Sequence, residues 1–164
     1  MGREERAKFC CLKLKRFLYL ISPNKIKINF YKDLEEVLST NKVKYFQLRL
    51  KNYSFSSILK IGKRIKKITE KNKVKFIVND SVDIAKKLNS DGCHLGQSDG
   101  SIKEAKKILK KRKIIGVTCH GSKKLILNAI KEKPNYLALG SFFKSKLKPN
   151  AKKAEKKLIR WTKR

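Results

Sequence analysis

Apolar and polar positions alternate in blocks along this chain, and the blocks predict a regular succession of strands and helices. Short apolar runs rich in β-branched and aromatic residues, closed by polar and turn-forming residues, are typical of buried strands. Such runs predict six strands, at Phe17–Ile21, Tyr45–Leu50, Lys75–Val78, Gly92–Leu95, Ile114–Val117 and Tyr136–Leu139.

The segments between these runs carry apolar residues at helical spacing. The clearest is a helix that opens at Ser54 or Ser56. Ser101 and Glu104 match a capping box, in which each side chain satisfies a free backbone N–H at the start of a helix. The full set of predicted helices comprises Asp33–Ser39, the long helix from Ser54 or Ser56, Val82–Leu88, the helices that begin at Ser101 and Ser122, and Asn150–Trp161.

Strand and helix alternate without exception, which implies parallel strands joined by right-handed crossovers. Six βα units are two short of a closed (β/α)₈ barrel. The pattern therefore allows either a TIM-type barrel truncated to about six units or an open doubly wound sheet. No Gly-rich phosphate loop of either standard kind is present. We divide the chain into a basic N-terminal extension, residues 1–16, and one α/β domain, residues 17–164.

The composition is strongly basic, with 44 Lys and Arg against 13 Asp and Glu and a net charge of +31 in 164 residues. Such a charge raises the possibility of a nucleic-acid partner. However, the lysines lie mostly on the polar faces of predicted helices, such as Lys63–Lys67, and few aromatic residues lie among them to stack on bases. We therefore expect no specific nucleic acid, and expect the charge to attract phosphorylated small-molecule substrates.

The cysteines and the apolar N-terminal stretch indicate in which cellular compartment the protein is expected. The four cysteines form no C-x-x-C motif, and Cys10 and Cys11 are adjacent, so reduced thiols are expected. Residues 9–22 are too short and too charged for a membrane span, and they lack a small-residue cleavage site. The sequence predicts a cytoplasmic protein without a membrane partner.

Charged and polar side chains follow the predicted strands at the edge where parallel strands of such proteins present their functional groups. Asp80 follows the third strand and Asp99 the fourth, so the two carboxylates are expected on one rim. Oxygen ligands of this kind favour Mg²⁺ over Zn²⁺. The alternatives are a helix N-cap for Asp80 and a turn role for Asp99. On the second strand Gln47, Arg49 and Lys51 share one face, which indicates an inner barrel face or the wet face of an edge strand.

Five segments together resemble the thiamine phosphate synthase family. They are QLRLK (47–51), IVND (77–80), DGCHLGQSD (91–99), GVTCH (116–120) and, more weakly, GSFFKSKLKPN (140–150). The resemblance covers about residues 17–161. It implies a (β/α)₈ barrel that joins hydroxymethylpyrimidine diphosphate to thiazole phosphate and releases pyrophosphate with the help of Mg²⁺. The pyrimidine would leave as a stabilised carbocation that the thiazole nitrogen traps, so no general base or protein nucleophile is implied.

The resemblance also implies roles for individual residues. Asp80 and Asp99 would hold Mg²⁺, and Thr118 stands where the family commonly has Ser, near the reacting pyrimidine. The implied contacts to the pyrimidine diphosphate are Gln47, Arg49, Lys51 and Asn79. In the last segment Ser145 would lie near the thiazole phosphate, and Lys148 would contact pyrophosphate. The implied catalytic residues are Arg49, Lys51, Thr118 and Lys148.

The chain departs from the family pattern in the last segment and at its end. Leu147 stands where the family has Thr, and Asn150 stands where it has an acidic residue. Arg164 falls where a seventh strand would begin, so we expect either a fragment or naturally shortened product, or a barrel completed by another chain. A homo-oligomer is a further alternative.

Two further readings use the histidines. A related barrel, the thiazole tautomerase, is linked to a His at the position of His120, which makes a tautomerase-like or inactive relative the alternative function. Cys93 and His94, like Cys119 and His120, are adjacent on a strand and point to opposite faces, so neither pair can chelate zinc from within its strand.

Overall fold

The computed structural model describes residues 17–110, 112–143 and 154–162. In chain order its elements are β1 (Leu18–Ile21), α1 (Phe30–Ser39), β2 (Val43–Leu48), α2 (Phe55–Lys71), β3 (Lys75–Asn79), α3 (Val82–Lys87), β4 (Gly92–Leu95), α4 (Ile102–Leu109), β5 (Ile114–His120), α5 (Lys123–Lys131), β6 (Tyr136–Leu139) and α6 (Lys157–Trp161). Each predicted strand is present, and a helix follows each one, as the alternation predicted.

The six strands form one parallel sheet in the order β1-β2-β3-β4-β5-β6. A doubly wound sheet would reverse its strand order at a switch point, so that alternative was wrong. The sequential order with helices on the outside is that of a TIM-like barrel, here with six βα units. Strand β2 pairs with both β1 and β3, so the edge-strand reading of β2 was also wrong. In the described part of the chain β1 and β6 form the two edges, and Leu18 and Ile21 on β1 are about half exposed.

The strands have two different faces. The outer face packs on the helices and supplies most of the apolar core, including Phe46, Phe76, Val78, Cys93 and Leu95, all at most 2% exposed. The inner face follows the alternation of the strands and carries a different set of residues. We call the following inner-face residues the inner layer: Tyr19, Tyr45, Gln47, Ile77, His94, Gly116, Thr118 and Tyr136.

Serine side chains define the starts of four helices. Ser54, Ser81, Ser101 and Ser122 each accept a hydrogen bond from the backbone N–H three residues later. At Ser101 the Glu104 carboxylate also accepts the N–H of Ser101, which confirms the predicted capping box. The cap of α3 is Ser81 and not Asp80, so the N-cap alternative for Asp80 was wrong.

Several predicted boundaries differ from the structure, three of them near the carboxyl ends of strands or at the last helix. Strand β2 ends at Leu48 instead of Leu50, because the Ser22 hydroxyl accepts the N–H of Arg49 at 2.8 Å and so takes the place of a strand partner. Strand β5 extends to His120, with an irregular register after Thr118. Helix α6 begins at Lys157, although the prediction placed its start at Asn150; residues 150–153 lie outside the described residues.

No helix in the described residues is long and apolar enough to cross a membrane. Cys93 and Cys119 are buried free thiols, as the sequence predicted for them, whereas Cys10 and Cys11 lie outside the described residues. Burial raises the pKa of the Cys93 thiol to about 12, which keeps it protonated near neutral pH.

Candidate active site

A cavity of about 540 Å³ opens at the carboxyl ends of the six strands. Loops at this edge of a barrel carry the functional groups in enzymes of this architecture. Seven residues that the sequence predicted for the site line the cavity: Gln47, Arg49, Lys51, Asn79, Asp80, Asp99 and Thr118. The other two, Ser145 and Lys148, lie outside the described residues, so their roles stay predictions.

Two basic residues reach the cavity from the loop after β2, and side chains of the loop after β1 hold that loop in place. The buried Ser22 hydroxyl accepts the N–H of Arg49 at 2.8 Å and donates to the Arg49 carbonyl at 3.3 Å. The Asn24 side-chain oxygen accepts the N–H of Lys51 at 2.6 Å. These bonds fix the backbone of both basic residues, so their side chains extend from a defined position. The sequence identified residues 22–24 only as a turn.

The Asp80 backbone is held at the end of β3. Its N–H donates to the His94 carbonyl at 2.8 Å, and its φ of 65° lies in the left-handed region that Asp and Asn tolerate better than most residues. Asp99 approaches from the loop after β4, where its Oδ2 accepts the N–H of Gly96 at 2.6 Å. Asp99 thus has the turn role that was considered for it and also lines the cavity.

The two carboxyl groups interact directly. Burial is the main cause that raises the pKa of Asp80 to about 6, and a hydrogen bond with Asp99 and the charge of Asp99 raise it further. The charges of Lys51 and Arg49 act in the opposite direction. The two carboxylates therefore repel each other, and a cation between them would relieve that repulsion.

The donor set suits Mg²⁺ better than a softer metal. The described residues contain no cluster of three or more His, Cys, Asp or Glu side chains that could form a complete metal cage. Mg²⁺ is usually bound by one or two carboxylates, with water and substrate phosphates completing its coordination. The pair Asp80 and Asp99, beside the basic Arg49 and Lys51, fits that pattern.

A chain of hydrogen bonds runs through the inner layer beneath these charged groups. The Gln47 amide donates to the Tyr19 hydroxyl at 3.3 Å, and the Tyr19 and Tyr136 hydroxyls lie 2.7 Å apart. His94 Nδ1 lies 2.9 Å from the Tyr136 hydroxyl, and His94 Nε2 lies 2.8 Å from the Thr118 hydroxyl. Sequence reasoning assigned no site role to Tyr19, His94 or Tyr136. Their alternate positions along the strands indicated that these three side chains face inward. That alternation does not show which side chains contact one another.

The cysteine and histidine residues considered for zinc or tautomerase chemistry lie on opposite faces of the sheet, as the strand geometry predicted. Cys93 lies in the core between the sheet and the helices, whereas His94 lines the cavity. His120 also lines the cavity, at a φ of 50° at the end of β5. The Gln97 amide donates to the Thr118 carbonyl and so joins the loop after β4 to β5.

Comparison with known proteins gives a consistent result. Residues 18–164 match the family model described as thiamine monophosphate synthase. The chain is 58% identical over 135 residues to the thiamine-phosphate synthase of Pelagibacter ubique, a match that covers 82% of this chain and 65% of that protein. It is 39% identical over 148 residues to the thiamine-phosphate synthase of Erythrobacter litoralis, with 88% and 70% covered.

A solved structure, thiamine phosphate pyrophosphorylase from Pyrococcus furiosus, matches with a TM-score of 0.69 and 32% sequence identity. The match covers 79% of this chain and 62% of that chain. This chain therefore spans just under two thirds of the length of the Pelagibacter ubique and Pyrococcus furiosus proteins.

Proposed function

Since the chain belongs to the thiamine monophosphate synthase family, we propose that it is a Mg²⁺-dependent transferase that joins hydroxymethylpyrimidine diphosphate to thiazole phosphate. The reaction would release pyrophosphate and form thiamine phosphate, a step of thiamine biosynthesis. The observation that supports this most is the convergence of Arg49, Lys51, Asp80 and Asp99 on one cavity. Two carboxylates beside two fixed cations suit a diphosphate together with a divalent metal.

The basic residues would bind the leaving group. As the carbon–oxygen bond to the diphosphate breaks, negative charge accumulates on the departing pyrophosphate, and prearranged cations stabilise that charge. This role is supported by the hydrogen bonds with which Ser22 and Asn24 hold the backbones of Arg49 and Lys51. The role of Lys148 in the same contact remains part of the proposal.

The carboxylates Asp80 and Asp99 would hold Mg²⁺. When bound, the ion would supply charge neutralisation for the diphosphate. Gln47, Asn79 and Thr118 contribute neutral polar groups to the same cavity, which suit a heteroaromatic ring such as the pyrimidine. Ser145 would contact the thiazole phosphate. A homo-oligomeric state is part of the same proposal.

The test is the formation of thiamine phosphate by the purified 164-residue chain, with Mg²⁺ and with EDTA. Asp80→Asn is compared with Asp83→Asn, the same change three residues later on α3, where the side chain does not line the cavity. Product that depends on Mg²⁺, is lost in Asp80→Asn and is retained in Asp83→Asn supports the proposal. A folded chain that binds both substrates but forms no product contradicts it.

The tautomerase-like alternative makes a different prediction in the same assay series. It rests on His120, which lines the cavity at the end of β5. Thiazole tautomerase activity that is lost in His120→Ala and retained in Asp80→Asn would favour this alternative over the transferase.

A further inference from the structure

The hydrogen bonds of the inner layer form an unbroken series from Gln47 to the cavity. The series passes from Gln47 to Tyr19, Tyr136, His94 and finally Thr118, with donor–acceptor distances of 3.3, 2.7, 2.9 and 2.8 Å. His94 is buried at 8% exposure, whereas both tyrosines are half-buried and line the cavity together with His94. A buried donor without an acceptor is costly, and this cost determines which group donates at each step.

The Gln47 side chain determines in which direction hydrogen bonds are donated along the series. The Gln47 NH₂ group can only donate, so the Tyr19 oxygen accepts from it. The Tyr19 hydroxyl then donates its own proton to the Tyr136 oxygen, which lies 2.7 Å away. Tyr136 in turn donates to His94 Nδ1. A neutral imidazole that accepts at Nδ1 carries its proton at Nε2, and Nε2 then donates to the Thr118 oxygen.

The opposite direction distributes the hydrogen bonds less evenly. If Tyr136 donated to Tyr19, the Tyr19 oxygen would accept twice and its proton would have no acceptor among the described residues. In the direction that starts at Gln47, Tyr19, Tyr136 and His94 each accept one hydrogen bond and donate one. The one proton left over is that of the Thr118 hydroxyl, which faces the cavity.

We propose that Tyr136 and His94 are positioning residues that hold the Thr118 hydroxyl as a hydrogen-bond donor toward an acceptor atom of the ligand in the cavity. Only the identity of that ligand rests on the proposed function. The complementary chemistry is a lone pair on an aromatic ring nitrogen. A ligand that presented an N–H or C–H group to Thr118 would leave this donor unused.

Two observations support a fixed arrangement. The His94 and Tyr136 rings stack at a centroid distance of 5.6 Å and an interplanar angle of 23°. Burial raises the pKa of Tyr19 to about 12 and that of Tyr136 further, so both hydroxyls keep their protons.

The first experiment measures the tautomer of His94 directly by ¹⁵N NMR of the histidine-labelled chain at pH 7.5, without ligand. The chain has two histidines, so a His120→Gln variant assigns the signals. The proposal predicts a proton on Nε2 and none on Nδ1. A proton on Nδ1, an equal mixture of tautomers or an imidazolium would overturn it.

The second experiment removes one hydroxyl group. Tyr136→Phe removes the donor to Nδ1 and is expected to give a mixture of His94 tautomers. The matched control is Tyr45→Phe, because the Tyr45 ring lies 6.5 Å from that of Tyr136 but its hydroxyl makes no hydrogen bond within the described part of the chain. The control should keep the Nε2 tautomer. If both variants keep it, Tyr136 does not determine the tautomer and the proposal is wrong.

The third experiment asks whether the series acts through Thr118. With thiamine phosphate formation as the readout, Tyr136→Phe should lower kcat/KM about tenfold, the effect of one misdirected hydrogen bond. The same substitution in a Thr118→Val background should cost little, because the final donor is already absent. Independent, additive losses would overturn the proposal. If the chain has no transferase activity, the tautomer measurements decide the proposal by themselves, so the two failures are distinguishable.

Discussion

The hydroxyl of Tyr19 lies 2.7 Å from that of Tyr136, although 117 residues separate the two in the chain. Tyr19 belongs to β1 and Tyr136 to β6, so the sheet curves far enough for its first and last described strands to meet through their inner side chains. Six strands are thus sufficient to form a continuous layer of aromatic and polar groups beneath the cavity. Five residues of this layer line the cavity together with the charged residues: Tyr19, Gln47, His94, Thr118 and Tyr136.

Gly116 leaves the space that the Tyr136 ring occupies. A Cβ atom on residue 116 would lie 2.0 to 2.4 Å from three atoms of the Tyr136 side chain, far inside contact distance. Gly116→Ala should therefore displace Tyr136 and destabilise the chain by about 1–3 kcal/mol, the usual cost of overpacking a core. Urea denaturation followed by circular dichroism measures the change.

A double-mutant cycle supplies the control for this prediction. In a Tyr136→Ala background the same Gly116→Ala change should cost much less, because the atoms that it collides with are absent. Equal costs in both backgrounds would mean that the space next to Gly116 is not limited by Tyr136.

The sequence was sufficient to predict the architecture and most of the cavity. Strand positions followed from apolar runs, and the pair Asp80 and Asp99 followed from their places directly after two adjacent strands. These inferences needed only local patterns and the rule that parallel strands present their carboxyl ends at one edge. Arg49 and Lys51 were expected on one face of the second strand, and their contact with the pyrimidine diphosphate was implied by the family resemblance.

The inner layer was not predicted, for a physical reason. Tyr19, His94 and Tyr136 meet because strands distant in the chain curve toward one another, and no local pattern encodes that distance. The end of β2 was missed similarly. The alternation of apolar and polar residues continues through Leu50. However, the Ser22 side chain, from the loop after β1, hydrogen-bonds the Arg49 backbone, and the strand ends at Leu48.

Asp91 joins β3 to β4 at the end of the sheet opposite the cavity. Its carboxylate accepts the N–H of Phe76 at 2.9 Å and pairs with the Lys75 ammonium at 2.9 Å. Asp91→Ala should cost about 1–3 kcal/mol in the free energy of unfolding, because it leaves a partly buried N–H unpaired. Lys75→Met removes only the exposed ion pair and should cost less than about 1 kcal/mol. Urea denaturation of both variants tests this order, and an equal or reversed order would contradict it.

Ser22 should matter for substrate binding although it lies outside the cavity lining. Ser22→Ala removes both hydrogen bonds to the Arg49 backbone, so the loop that carries Arg49 loses its support. We expect KM for the pyrimidine diphosphate to rise several-fold and kcat to change less, measured by steady-state kinetics. Ser39→Ala is the matched control, because its hydroxyl donates to a carbonyl at the exposed end of α1. A KM for Ser22→Ala equal to that of the control would refute this role.

Asp80 should lower stability when no cation is present. Its pKa in the folded chain is about 6, against an ordinary 3.8, so between these values the folded state binds more protons than the unfolded state. Stability therefore falls as the pH rises from about 4 to 6, and it stays reduced above that range. Asp80→Asn removes the charge, and Asn tolerates the φ of 65° at this position, so Tm at pH 7.5 in EDTA should increase.

Mg²⁺ should reverse this order of stability. A ligand that binds only the folded state at 100 times its Kd adds about 2.7 kcal/mol. Wild type and Asp83→Asn should therefore gain Tm as Mg²⁺ is added, and Asp80→Asn should gain little. Differential scanning fluorimetry across an Mg²⁺ titration measures all three proteins. A lower Tm for Asp80→Asn in EDTA would indicate that Asp80 has a structural role, and an equal response of the three proteins to Mg²⁺ would show that the ion binds elsewhere.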